Sequence, residues 1–64
     1  MKHFTADELY EIAAEEYKKA GIDFDAEGAG QWAALSAEAD DFHSEDEARE
    51  ELRSFIAEEK AMMD

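Results

Sequence analysis

Gly28-Ala29-Gly30-Gln31-Trp32-Ala33-Ala34-Leu35-Ser36-Ala37-Glu38-Ala39-Asp40-Asp41-Phe42 contains the only tryptophan of the chain. Trp32, Leu35, Ala39 and Phe42 stand three, four and three residues apart, a spacing that places all four on one face of a helix. The residues between them are mostly alanine, so neighbouring helices are expected to approach closely on either side. The pattern predicts the middle helix of a small bundle, over about residues 27–42, with Trp32 as the anchor of the core.

Working outward, the first helix is bounded on both sides. Thr5-Ala6-Asp7-Glu8 is a capping box, and Phe4 and Leu9 are placed to form its hydrophobic staple. Leu9, Ile12, Ala13, Tyr17 and Ala20 then line one face. Asp7 and Glu8 lie at the positive end of the helix dipole, and Lys18 and Lys19 at its negative end. Gly21 is the expected left-handed stop, with Ile22 folding back towards Tyr17. A helix is expected over about residues 6–20. Ile22 and Phe24 in the connection are expected to pack down on the core, with Asp25 as N-cap of the next helix.

A second capping box, Ser44-Glu45-Asp46-Glu47, opens the last helix. Ala48, Leu52, Phe55, Ile56, Glu59 and Met62 or Met63 continue at helical spacing to about residue 62, with Glu59 as the polar exception. Glu45 and Arg49 are spaced for an ion pair. The short joint Phe42-His43-Ser44 predicts an antiparallel pair from the last two helices. The expected fold is all-α, a three-helix bundle in one domain of 64 residues. Its expected core is Leu9, Ile12, Tyr17, Trp32, Leu35, Phe42, Leu52, Phe55 and Ile56.

Composition narrows the function. There is no cysteine and no proline, and only three glycines, which excludes thiol chemistry and disfavours a turn-rich β fold. No apolar run is long enough to span a membrane and no signal-peptide pattern opens the chain, so a soluble cytoplasmic protein is expected. The formal net charge is −13, well beyond the magnitude of about 2–8 that serves the solubility of a small domain. Such a charge argues against direct binding of nucleic acid or anionic membranes. It makes a basic protein surface the natural partner.

Three arrangements contain residue types that could carry chemistry. Asp23, Asp25, Glu27 and Gly28 match positions 1, 3, 5 and 6 of a calcium loop, but position 12, which needs a bidentate Glu, is Ala34. Asp40 and His43 have the spacing of one carboxylate–histidine pair of a di-iron bundle, without its other ligands. Ser36, Ser44 and Ser54 are accounted for as helix-surface or cap residues. Neither a metal, a cofactor nor an enzymatic activity is expected.

The acids carry the functional signal. From Ala20 to Ala48 there are nine acidic residues and no Lys or Arg. Glu45, Asp46 and Glu47 suit the first turn of a helix. Glu38, Asp40 and Asp41 do not, because they crowd a helix C-terminus where the dipole favours cations. Together with Glu50 and Glu51 they make eight acids against one Arg between Glu38 and Glu51. A placement that opposes local folding rules is where function is expected, although a uniformly solvated acidic surface, as in proteins of a saline cytoplasm, is the structural alternative. Carboxylates three or four apart on a helix stand about 5–6 Å apart at their Cβ atoms, and two acidic helices together approximate the field of a phosphate backbone.

In size, acidity and helical pattern the whole chain resembles the small acidic helical proteins made by phages, among them anti-CRISPR proteins that act as DNA mimics. No sequence motif carries the resemblance. It implies a non-enzymatic inhibitor acting in the host cytoplasm, with the DNA-binding channel of a type I CRISPR surveillance complex as the first expected target. A restriction enzyme, a repressor or a nucleoid protein fits nearly as well. On this reading Glu38, Asp40, Asp41, Glu45, Asp46, Glu47, Glu50 and Glu51 bind a basic nucleic-acid-binding host protein. The alternative is a helical adaptor that docks through an apolar face, or dimerises weakly through Phe55, Met62 and Met63.

Overall fold

The computed structural model describes residues 3–62. It is all-α: α1 spans Ala6–Ala20, α2 Ala26–Ala39 and α3 Glu45–Met62. The start of α1 is the expected capping box. Thr5 Oγ1 accepts from the Glu8 amide at 3.1 Å and Glu8 Oε1 accepts from the Thr5 amide at 3.1 Å. Phe4 and Leu9 of the staple are both buried. Gly21 stops the helix at φ 73°, where its amide reaches Lys18 O and the Ile22 amide reaches Tyr17 O. That pair of bonds is the Schellman arrangement.

The second helix differs from expectation at its end and in its phase. It stops at Ala39, not Phe42, because Asp40 adopts the left-handed conformation at φ 56°. Asp is one of the few non-glycine residues that visit this region readily. The Asp40 amide bonds Ala37 O and the Asp41 amide bonds Ser36 O, repeating at this end the motif made by Gly21. The acid that opposed the dipole therefore has a folding role. Phe42, freed from the helix, is buried and packs on Trp32 with ring centroids 5.6 Å apart.

The buried face of α2 is Ala29, Ala33 and Ser36, not Trp32, Leu35 and Ala39. Leu35 is 66% exposed, Ala39 is exposed and Trp32 is half-buried. Adjacent helical residues are about 100° apart around the axis, so the helix is turned by one residue from the expected face. The small-residue face allows α1 to come close, and the large side chains are left at the rim.

The same choice moves the centre of the molecule. α1, not α2, is the middle helix: it packs against both α2 and α3, whose backbones make no close approach to each other. The short joint therefore does not produce a packed antiparallel pair from α2 and α3. α1 contributes Leu9, Ile12, Ala13 and Tyr17 to a core completed by Phe4, Ala29, Ala33, Phe42, Ala48, Leu52 and Ile56. Phe55 is not part of that core. It is 42% exposed, one residue out of phase with the Ala48–Leu52–Ile56 stripe. Phe24 in the α1–α2 connection meets Tyr10 and Tyr17 edge-on, at 5.3 and 5.4 Å.

Candidate functional site

Along one face of the molecule α2 and α3 diverge. At the end nearest their joint this leaves a cleft of about 670 Å³ in which Asp41, Glu47, Glu50 and Glu51 converge above Trp32 and Phe42, with Ser36 and Ser54 completing the wall. The periodicity of α3 supplies three of the acids, since positions 47, 50, 51 and 54 share a helix face. The Schellman turn at Asp40 brings Asp41 to meet them. Among the described residues no Lys or Arg lines the cleft. Glu47 also holds its helix start, accepting from the His43 amide at 3.1 Å while Ser44 Oγ accepts from the Glu47 amide at 3.3 Å. The second capping box is thus formed on the Ser44 side, with the carboxylate reaching one residue further back than expected.

The structure gathers four of the eight expected acids there and places the others outside. Glu38 and Asp46 are exposed and do not line the cleft. Asp40 pairs with His3, Oδ1 to Nδ1 at 3.1 Å. Glu45 pairs with Arg49 at 3.4 Å, as the i,i+4 spacing predicts.

A second ionic site did not figure in the expected surface. Glu16 is only 4% exposed. Its carboxylate accepts from Arg49 at 2.7 Å and from Arg53 at 3.1 Å, with Lys19 at 3.7 Å. Burial pushes the Glu16 carboxyl up, but the two guanidinium hydrogen bonds and the charges of Arg53 and Lys19 outweigh it and hold the group below its ordinary value. Arg49 is held charged by the hydrogen bonds it donates to Glu16 and then to Glu15. The clue in the sequence is an acid on the apolar stripe of α1 and two arginines four apart on α3. Lys60 lines the same recess between α1 and α3 as Glu16, Lys19 and Arg53. Of the five described cations, Lys19, Arg49 and Arg53 therefore contact Glu16 and Lys60 lines the recess beside it, away from the acidic cleft.

Tyr17 explains the polar exception of α3. Its hydroxyl donates to Glu59 at 3.1 Å. Burial, and then that carboxylate, raise the phenol to about 12. Asp25 caps α2 as expected, accepting from the Gly28 amide at 3.1 Å. It is thereby part of a helix start, as is Glu27 in the first turn, and a calcium loop over these residues is not formed. Among the described residues no group of three or more His, Asp or Glu side chains is placed to hold a metal ion. No described helix is long and apolar enough to cross a membrane.

Fold and site together define a small acidic helical bundle with four of its five described cations drawn to one seam and, on another face, an acidic cleft that no described cation lines. No protein-family model, curated protein or solved structure matches this chain.

Proposed function

We propose that the protein is a non-enzymatic inhibitor that presents its acidic cleft in place of a nucleic-acid backbone to a Lys- and Arg-lined site. The observation that carries this reading is the segregation of charge: Asp41, Glu47, Glu50 and Glu51 share one cleft that no described cation lines, while Lys19, Arg49 and Arg53 contact Glu16 elsewhere and Lys60 lines the recess beside it. A uniformly solvated acidic surface has no reason to sort its charges in this way. The density is also appropriate. The molecule is 38 Å long and carries 19 acids and a net −13, where a DNA duplex of that length carries about 22 phosphates. The resemblance to phage-made acidic inhibitors makes a type I surveillance complex the first target to assay, with other DNA-binding host proteins next.

The test compares two sets of substitutions that remove equal charge. Asp41→Asn, Glu50→Gln and Glu51→Gln neutralise cleft acids whose side chains have no hydrogen-bond or ion-pair partner among the described residues. Glu11→Gln, Asp23→Asn and Glu27→Gln neutralise exposed acids outside the cleft. In competition with target duplex for the surveillance complex, the cleft set should lose about tenfold in inhibition, chiefly through slower association, and show a shallower salt dependence. The control set should lose less than about threefold. Equal losses would reduce the effect to total charge. No loss in either set, with the helical circular dichroism intact, would refute the proposal.

A further inference from the structure

Beyond Trp32 the divergence of α2 and α3 continues as a second recess of about 570 Å³, and its chemistry is different. Tyr17, Ala29 and Leu52 floor it, and Trp32, Phe55 and Met62 form its upper walls. The floor residues are buried, but Phe55 is 42% and Met62 81% exposed, so an apolar groove stands open to water. Asp25, Glu58 and Glu59 mark its rim. Trp32 lines both the groove and the acidic cleft, and the two form one continuous face.

We infer that this groove takes the apolar side of a basic amphipathic helix belonging to the partner, an inference that rests on the reading of the adjoining cleft as a docking site for a basic protein. Charge selects the occupant. A second copy would set an acidic rim against an acidic rim, with −13 on each chain. A helix carrying Lys and Arg beside its apolar stripe places those cations against Asp25 and Glu58 at the rim and against Asp41, Glu50 and Glu51 in the cleft. Backbone chemistry selects the conformation. Among the described residues there is no strand, so an extended peptide finds no sheet edge for its amides, whereas a helix satisfies its own and presents only side chains. Burying Phe55 and Met62 removes the two largest exposed apolar walls from water, which supplies the short-range attraction that charge alone does not.

The single tryptophan is a built-in reporter. Trp32 emission is titrated with three probes of equal charge: a Leu/Lys peptide of about five helical turns with one apolar face, the same composition scrambled so that no face is apolar, and oligolysine. The amphipathic peptide should shift the emission to the blue and bind about tenfold more tightly than the scrambled one. Phe55→Gln with Met62→Gln should erase that advantage and leave oligolysine binding unchanged. The Asp41, Glu50 and Glu51 neutralisation should weaken all three probes. Equal affinity for the two Leu/Lys peptides, or an advantage that survives in the Phe55/Met62 variant, would overturn the inference without touching the acidic cleft. Oligolysine binding that ignores the cleft neutralisation would instead remove the cleft reading on which it rests. Sedimentation at rising concentration should show a monomer; a dimer abolished by the Phe55/Met62 variant would place a second copy in the groove and overturn the inference.

Discussion

Glu16 shows how one buried side chain governs the charge pattern of the surface. It holds Arg49 and Arg53 from α3 at 2.7 and 3.1 Å, so two of the three arginines and lysines of α3 face α1 and not the acidic cleft. Glu16→Gln should cost about 2 kcal/mol, because it leaves a largely buried Arg49 without its closest anion. The carboxyl is held low in the folded state, so its contribution is present above the ordinary Glu pKa and is lost as pH falls through the folded value. The wild-type protein should lose this increment below roughly pH 4, and thermal melts of the variant over the same range should show a shallower decline. Tyr17 has the opposite sign. Its phenol is raised to about 12, so its contribution is complete below the unfolded value of about 10 and fades as pH climbs from there to about 12. Tyr17→Phe should cost about 1 kcal/mol at neutral pH and flatten that alkaline loss, as read by circular dichroism melts.

At the scale of the element, α2 is the helix whose sequence leaves most to its surroundings. Two of the three glycines lie within it, at 28 and 30, and they are not equivalent. A Cβ on Gly28 would strike the Asp25 carboxylate that caps the helix, whereas a Cβ on Gly30 meets only Tyr10 Cε2 at an ordinary 3.9 Å. Gly30→Ala should therefore stabilise the protein by about 0.5–1 kcal/mol. Gly28→Ala should bring no such gain, since the propensity is offset by a displaced cap worth about 1 kcal/mol. Denaturant midpoints of the two variants measure the difference, and equal gains would show that the Asp25 cap contributes little. The caps themselves were legible in the sequence: Thr5, Gly21 and Asp25 act as read, because each bonds amides or carbonyls within one turn. The stop at Asp40 was not read, because an Asp gives a weaker left-handed signal than a Gly.

At the scale of the whole molecule, 19 acids and six basic residues share a body 38 by 20 by 16 Å. Self-repulsion opposes so compact a state. Screening should relieve it, and the melting temperature should rise between low and moderate salt by about 4–8 °C for each 1 kcal/mol recovered. Partner binding should move the other way, weakening over the same salt range. A melting temperature that does not respond would show that the ion pairs around Glu16 already balance the repulsion. Stability and binding thus draw on the same charges with opposite salt dependence, which separates them in one titration series.

The sequence by itself determined where α1 begins and ends and where α3 begins, because capping boxes, a left-handed glycine and a 3.6-residue apolar period are written within one or two turns of chain. It also determined the excess of acid and its concentration between Glu38 and Glu51. Only the tertiary structure decided which face of α2 is inside. Trp32 and Leu35 made the stronger apolar signal, but the Ala29–Ala33–Ser36 face allows the closer approach to α1, and close packing favoured it. That choice left Leu35 in water, set α1 at the centre and opened α2 from α3, and so created both the cleft and the groove. The pairing of Glu16 with Arg49 and Arg53 likewise joins residues 33 and 37 positions apart. No local pattern specifies such a separation, and it is the packing of α3 on α1 that draws four of the five described cations to one seam and leaves the cleft carboxylates on another face.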